Sequence, residues 1–277
     1  MDCENCQDKS ACSSCDQGPS KQDQAISEFL ARVKHKYVIM SGKGGVGKST
    51  VAADLAVLLS QQGYHVGLLD VDLHGPSIAG ILGLTGIPLN AIEDKMIPYK
   101  YSENLEVMTV QGLLAQEDSA LIWRGPVKIG VIRQFLADTM WSDLDYLLID
   151  CPPGTGDEPL TIVQTIPGVE AIIVTTPQDV ALADVRKSIN FCQLAQVPIK
   201  GLVENMSGFV CPNCGAVHNI FKSGGGEKLA QEKGLPFLGK IPLDAQVVDA
   251  DDAGDPLANL SPKVLAALTG IAAALTK

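Results

Sequence analysis

The sequence predicts an α/β protein, a mostly parallel, doubly wound sheet of about seven strands with helices on both faces. Three observations carry this. Short apolar runs rich in Val, Ile and Leu, such as Tyr37 to Met40 and Tyr146 to Ile149, alternate with segments of helical period along the chain. The turn after the first run is glycine-rich and opens a helical segment, the arrangement of a strand–loop–helix phosphate site. Two apolar runs end in aspartate, at Asp70 and Asp150, and open parallel sheets gather their ligands beyond the carboxyl ends of strands.

Bulk properties narrow the function. The chain has 277 residues and is 46% hydrophobic, enough to bury the core of one large domain. Its net charge of −11 disfavours a broad basic face for nucleic acid or anionic lipid. A local cluster of donors for a nucleotide stays compatible with that charge. The N-terminus is polar, and no apolar run approaches the roughly 18 to 20 residues that span a bilayer. A cytoplasmic protein with neither a membrane nor a nucleic-acid partner is therefore expected. Of 8 cysteines, most fall in C-x2-C pairs, which points to metal or redox chemistry rather than disulfides.

In order, residues 1–24 read as a flexible cysteine-bearing tail and 25–277 as the nucleotide-binding domain. The tail holds Cys3, Cys6, Cys12 and Cys15 with almost no apolar content, so it forms no core of its own. Its thiols suit an iron–sulfur cluster or a tetrahedral zinc, or are incidental. Ile26, Phe29, Leu30 and Val33 recur at helical intervals and predict a short helix leading into the first strand. Then comes Gly42-Lys43-Gly44-Gly45-Val46-Gly47-Lys48-Ser49-Thr50, which satisfies G-x-x-x-x-G-K-[ST]. Gly44, Gly45 and Gly47 supply backbone angles closed to other residues and leave room for phosphate oxygens to reach main-chain N–H groups. The helix starting near Lys48 aims its positive end at the same phosphates, Lys48 reaches the β/γ oxygens, and Ser49 is the expected magnesium ligand. Val51, Leu55, Leu58 and Leu59 mark the buried face of that helix, and Gly63 closes it.

His65 to Asp72 is a buried strand ending in Asp70 and Asp72, beside the phosphate loop; either carboxylate can also cap the next turn. Ile81 to Lys100 reads as an irregular connection with a small hairpin, and Leu105 to Val110 as a strand. Leu121 to Pro126 introduces a helix carrying Val131, Ile132, Phe135 and Leu136. Tyr146 to Asp150 is an apolar strand ending in Asp, the Walker B form, so Asp150 is expected to hold magnesium through water. In the loop that follows, two prolines restrict and two glycines permit movement, and Cys151 reads as a small buried residue. Strands are predicted over Ala171–Thr175 and Ile199–Glu204 and a helix over Asp179–Leu194. Asn205 follows the second strand, and Cys211-Pro212-Asn213-Cys214-Gly215 forms a C-P-x-C-G knuckle, with His218 as a conceivable third ligand. Gly224 to Lys233 predicts a helix, Pro236 to Asp244 a last strand and loop, and the stripe Val264, Leu268, Ile271, Leu275 a core-packed terminal helix.

Lys43 after Gly42 gives K-G-G-x-G-K-[ST], which resembles the deviant Walker A signature of the MinD, ParA and nitrogenase iron-protein superfamily. Asp150-Cys151-Pro152-Pro153-Gly154-Thr155-Gly156-Asp157 resembles the switch II of its Mrp/ApbC/Nbp branch, and Trp123-Arg124-Gly125-Pro126 resembles a segment that faces the nucleotide dimer there. The likeness covers about Lys34 to Leu260. It implies a P-loop NTPase fold, ATP and Mg2+ as cofactors, slow hydrolysis, and a homodimer in which Lys43 crosses to the partner's nucleotide. Asp72 falls in the switch I place that positions or activates water, Asp70 at the magnesium shell or strand end, and Asn205 where adenine is contacted. Four thiolates alone do not select iron over zinc; the resemblance does, and implies a [4Fe-4S] cluster shared by Cys211 and Cys214 of two protomers and passed to apo iron–sulfur proteins. The tail departs from the ferredoxin-like spacing of eukaryotic-type members. A MinD/ParA-like positioning ATPase and an ATP-dependent electron-transfer reductase are the competing readings.

Overall fold

The first element, helix α1 (Lys21–Ala31), is set by a capping box: Ser20 Oγ accepts the Asp23 N–H, and the Asp23 carboxylate accepts the Ser20 N–H. The computed structural model describes residues 20–73, 75–113, 125–211 and 213–277. Cys3, Cys6, Cys12, Cys15, Trp123 and Arg124 lie outside the described residues. α1 ends two residues before the last position of its apolar spacing, and Val33 opens strand β1 (Val33–Ser41) instead. Phe29 of α1 stacks on Trp141 at 5.7 Å between ring centroids, fixing the helix to the loop that precedes the strand at Leu144–Asp150.

From there the chain runs α2 (Lys48–Gln61), β2 (Val66–Asp70), α3 (Ile78–Ile81), β3 (Asn90–Ile92), β4 (Lys95–Ile97), β5 (Tyr99–Ser102), β6 (Leu105–Met108), α4 (Gly125–Ala137) and β7 (Leu144–Asp150). It continues α5 (Asp157–Thr165), β8 (Glu170–Thr175), α6 (Asp179–Leu194), β9 (Ile199–Glu204), β10 (Phe209–Val210), β11 (Val217–His218), α7 (Gly225–Lys233), β12 (Phe237–Lys240), α8 (Ala245–Asp252) and α9 (Pro262–Leu275). The main sheet has 8 strands in the order β12-β9-β8-β1-β7-β2-β6-β5. All pairs are parallel except β5 with β6. The parallel strands are thus the seven expected; the eighth, β5, lies within and just beyond the stretch read as irregular. Its half-buried and exposed residues alternate, as on an edge strand with one covered face. Residues 90–97 form the small hairpin expected there.

The strands' alternation divides the core. Val38 and Met40 of β1 face Ile132, Phe135 and Ile189, whereas Tyr37 and Ile39 face Leu55, Leu268 and Ile271. A layer of α1, α4, α5, α6 and α7 therefore covers one face, and α2, α3, α8 and α9 cover the other. The terminal helix is a core element, as its stripe predicts, with Val264, Leu268 and Ile271 fully buried. Among the described residues no helix is long and apolar enough to cross a membrane.

Candidate functional site

β1 ends mid-sheet between β8 and β7, and the chain turns through Gly42–Gly47 into α2. Gly47 caps that helix with φ 77°, and a Cβ there would run into the Asn205 side chain. A Cβ on Gly42 would collide with the Asp184 backbone of α6, so glycine lets the loop lie against that helix. Gly44 corrects the expectation: its backbone is not left-handed, and a side chain there would meet only Pro153, at 3.9 Å. Ser41, Lys43 to Thr50 and Asp72 line a cavity of about 430 Å³.

Lys48 is 6% exposed and its Nζ lies 2.6 Å from Asp150 Oδ1. Ser49 Oγ donates to Asp150 Oδ2, also at 2.6 Å. Burial pushes the Asp150 carboxyl up, against the pull of Lys48 and both hydrogen bonds. Ammonium, hydroxyl and carboxylate are thereby gathered at the base of the loop. Asp70, beside Asp150 in register, is wholly buried, and burial followed by the charge of Asp150 holds it well above the usual carboxylate range. It accepts the Thr109 hydroxyl at 3.1 Å and the Asp72 N–H at 3.0 Å. Of its two expected roles, the geometry gives it the strand end, bracing the turn that carries Asp72. Asp72 accepts the Gly75 N–H at 3.2 Å and faces the cavity. Lys43 is half-buried and has no ion pair among the described residues. Burial pushes the Cys151 thiol well up, consistent with a packing residue.

Asn205 stands where the sequence places it, after β9, but its amide braces the loop. Nδ2 donates to the Val46 carbonyl at 2.9 Å, and Oδ1 accepts the Met206 N–H at 2.9 Å. Its second N–H remains for a ligand.

Cys211 and Cys214 sit in the turn of the β10–β11 hairpin, Cys211 half-buried and Cys214 exposed. The Cys211 N–H donates to Ala216 O at 2.9 Å, the Gly215 N–H donates to Cys211 O at 2.8 Å, and Lys263 Nζ holds Gly215 O at 2.7 Å. Backbone N–H groups of Cys214 and Asn213, then the Cys214 side chain, hold the Cys211 thiol below its usual range. A lowered thiol is more readily present as the thiolate. Among the described residues no three His, Cys, Asp or Glu side chains gather at one point, so His218, on exposed β11, does not complete a ligand set with the two thiols. One chain supplies two sulfurs.

Residues 32–276 match the family model described as ParA: NUBPL iron-transfer P-loop NTPase. The chain belongs to this family. It is 48% identical over 262 residues to an iron-sulfur cluster carrier protein of Methanocaldococcus jannaschii, covering 94% of this chain and 90% of the relative. It is also 51% identical over 224 residues to a cytosolic Fe-S cluster assembly factor Nubp2 homolog of Aedes aegypti, covering 79% and 86%. A nucleotide-binding protein of Archaeoglobus fulgidus, solved with ADP, superposes with TM-score 0.76 at 39% identity, covering 88% of this chain and 95% of that one.

Two parts of this iron-transfer NTPase escape sequence reasoning. Helix α8, in a stretch that the sequence pattern leaves unassigned between the last strand and the terminal helix, closes the far wall of the cavity, where Asp251 accepts the Thr50 hydroxyl at 3.0 Å. Its signals were Asp244, an N-cap accepting the Gln246 N–H, and Gly254 at φ 76° just past its end. Glu204, the buried end of β9, accepts Ser207 Oγ and the N–H groups of Gly224 and Gly226 within 2.5 to 2.7 Å. It ties both ends of the cysteine-bearing segment to the sheet. Nothing in its local sequence marks that role, because its partners come from up to 22 residues away.

Proposed function

We propose that this protein is an iron–sulfur cluster carrier that binds and slowly hydrolyses ATP and, as a homodimer, holds a [4Fe-4S] cluster on Cys211 and Cys214 of both chains. It passes that cluster to apo iron–sulfur proteins, its recipients, in the cytoplasm. One observation carries the link between the two activities. Strand β10, leading into Cys211, is hydrogen-bonded to the loop beside the nucleotide cavity: Val210 N–H to Leu243 O at 3.1 Å, and Leu243 N–H to Gly208 O at 2.7 Å. A shift of that loop on nucleotide binding moves the strand that carries the thiol.

In the nucleotide site, residues 42–50 wrap the phosphates with backbone N–H groups, and Lys48 turns from Asp150 to the β/γ oxygens. Ser49 and Asp150 offer the hard oxygen donors that Mg2+ takes, and their convergence fits that ion. When bound, the ion supplies charge neutralisation at the transferring phosphate. Asp72, steadied through Asp70, orients the attacking water and accepts its proton. Lys43 reaches across the dimer to the partner's nucleotide, so that ATP closes the pair and brings the two thiol hairpins to one axis. Four thiolates then enclose the cluster, and release follows when the pair reopens. The ATPase body begins at Ser20, the cap of α1, not at residue 25, because α1 runs through that boundary and Asp23 pairs with Arg133; the cysteines before it act as a separate tail.

Sedimentation velocity with and without a non-hydrolysable ATP analogue tests this reading. A nucleotide-dependent dimer that Lys43→Ala abolishes is expected; a dimer indifferent to nucleotide and to Lys43 contradicts it.

A further inference from the structure

Beyond the phosphate loop the cavity does not end. A second cavity of about 100 Å³ adjoins it, walled by Met206, Ile241, Pro242 and Val247, with Asn205 at its side. The two share Gly47, Thr50, Val248 and Asp251. One end of this cleft is therefore made of phosphate-seeking N–H groups and a lysine, and the other of apolar walls with the Asn205 amide and the carboxyl groups of Asp54 and Asp244. A nucleotide has the same polarity, with the sugar at the junction, and Asp251 stands at that junction.

The carboxylates there are incompletely matched. Asp251 Oδ2 accepts the Thr50 hydroxyl, but Asp251 Oδ1 is buried without a donor, and so is Asp54 Oδ1 in the same small cavity. Asp54 is 1% exposed. A buried acceptor without a donor is left without the hydrogen bond it had in water, a loss that a ligand hydroxyl relieves. Burial and then the charge of Asp251 hold the Asp54 carboxyl well above its ordinary range. A metal ion is not the matching ligand, because no three ligating side chains converge among the described residues.

The geometry points to Asp251 as the sugar-recognition residue: its unpartnered oxygen accepts a ribose hydroxyl of the bound nucleotide, making the site selective for ribonucleotides over deoxyribonucleotides. Thr50 aims the carboxylate, and Asp54, one helical turn further along α2, lies behind it in the same cavity. The inference rests on the nucleotide-binding reading above.

Calorimetric titration of the full chain with ATP, 2′-deoxy-ATP and 3′-deoxy-ATP tests it. The unaltered protein is expected to bind at least one deoxy analogue about ten- to a hundred-fold more weakly than ATP, the range for losing a hydrogen bond to a charged group. Asp251→Ala is expected to bring the three within about twofold of one another, and Thr50→Val to reduce the discrimination severalfold while leaving the carboxylate in place. The ratio is read within each protein, so a general loss of affinity does not imitate the effect. Equal affinities in the unaltered protein, or a ratio that survives in either variant, would overturn the inference. Failure of ATP itself to bind the unaltered protein would overturn the nucleotide reading as well, which separates the two failures.

Discussion

The phosphate loop and the cysteine hairpin lie at the same carboxyl end of the sheet and are built on opposite plans. The loop leaves the central strand and its cation is locked to a wholly buried carboxylate; every group needed to cradle a phosphate is present in one chain. The hairpin is two short strands carried beyond β9, with Cys214 exposed and no third ligand beside the thiols among the described residues. A site whose groups already converge in one chain needs only a local adjustment to bind, the turn of Lys48 from Asp150 to the phosphates. An incomplete, exposed site binds only when something completes it, and gives up its cargo when that something leaves. The contrast suits a carrier, in which the nucleotide is the firm partner and the cluster the transient one.

The largest expected effect separates the two regions at the loop. Lys48→Ala leaves Asp150 buried without its cation, at a cost of about 3 kcal/mol in chemical unfolding, and lowers ATP affinity at least about a hundredfold. Equal stability and affinity in that variant would show the loop is less committed than its burial indicates. Next in size, Glu204→Ala strands three donors and is expected to cost about 2 kcal/mol. Hydrogen exchange should then quicken across residues 207–226 while the phosphate loop stays protected. Uniform quickening would mean that the hairpin is not a separable unit.

A smaller effect is pH-linked. Burial raises Asp251 to about 6 from 3.8, against the pull of Thr50. A carboxyl that holds its proton more tightly when folded contributes stability that is complete below about pH 4 and lost as pH rises through 6. The melting temperature of the nucleotide-free protein is therefore expected to decline across that interval, and Asp251→Asn to flatten the decline. Exposed carboxylates with lowered values, such as Asp23 at about 2, titrate below that window. The smallest effect is at the hairpin: Cys214→Ala should leave unfolding within about 0.5 kcal/mol, as for a surface substitution. A marked loss would give Cys214 a structural role in the isolated chain.

Much of this was legible in the sequence because it is local. The phosphate loop is contiguous, and glycine at 42 and 47, Lys48 and Ser49 carry their chemistry in their spacing. The seven parallel strands announce themselves as apolar runs, and Cys211 and Cys214 as a knuckle. What was not legible depends on chain segments meeting in space. Thr50 and Asp251 are separated by 201 residues, and the helix bearing Asp251 is short and weakly apolar. Asn205 had the right address, yet its bond to Val46 needs the left-handed turn at Gly47 to bring the two together. β5 went unread because Tyr99 to Ser102 has one covered face and lies between hairpin and turn.

The central claim, that the paired thiol hairpins are where the cluster is held, is met most directly by one measurement. Iron and acid-labile sulfide are determined after anaerobic reconstitution of the full chain and of the Cys211→Ala/Cys214→Ala variant, with ATP affinity measured on both. About four irons and four sulfides per two chains are expected in the unaltered protein beyond whatever the variant retains, with ATP affinity equal within about twofold. Undiminished iron and sulfide in the variant would contradict it.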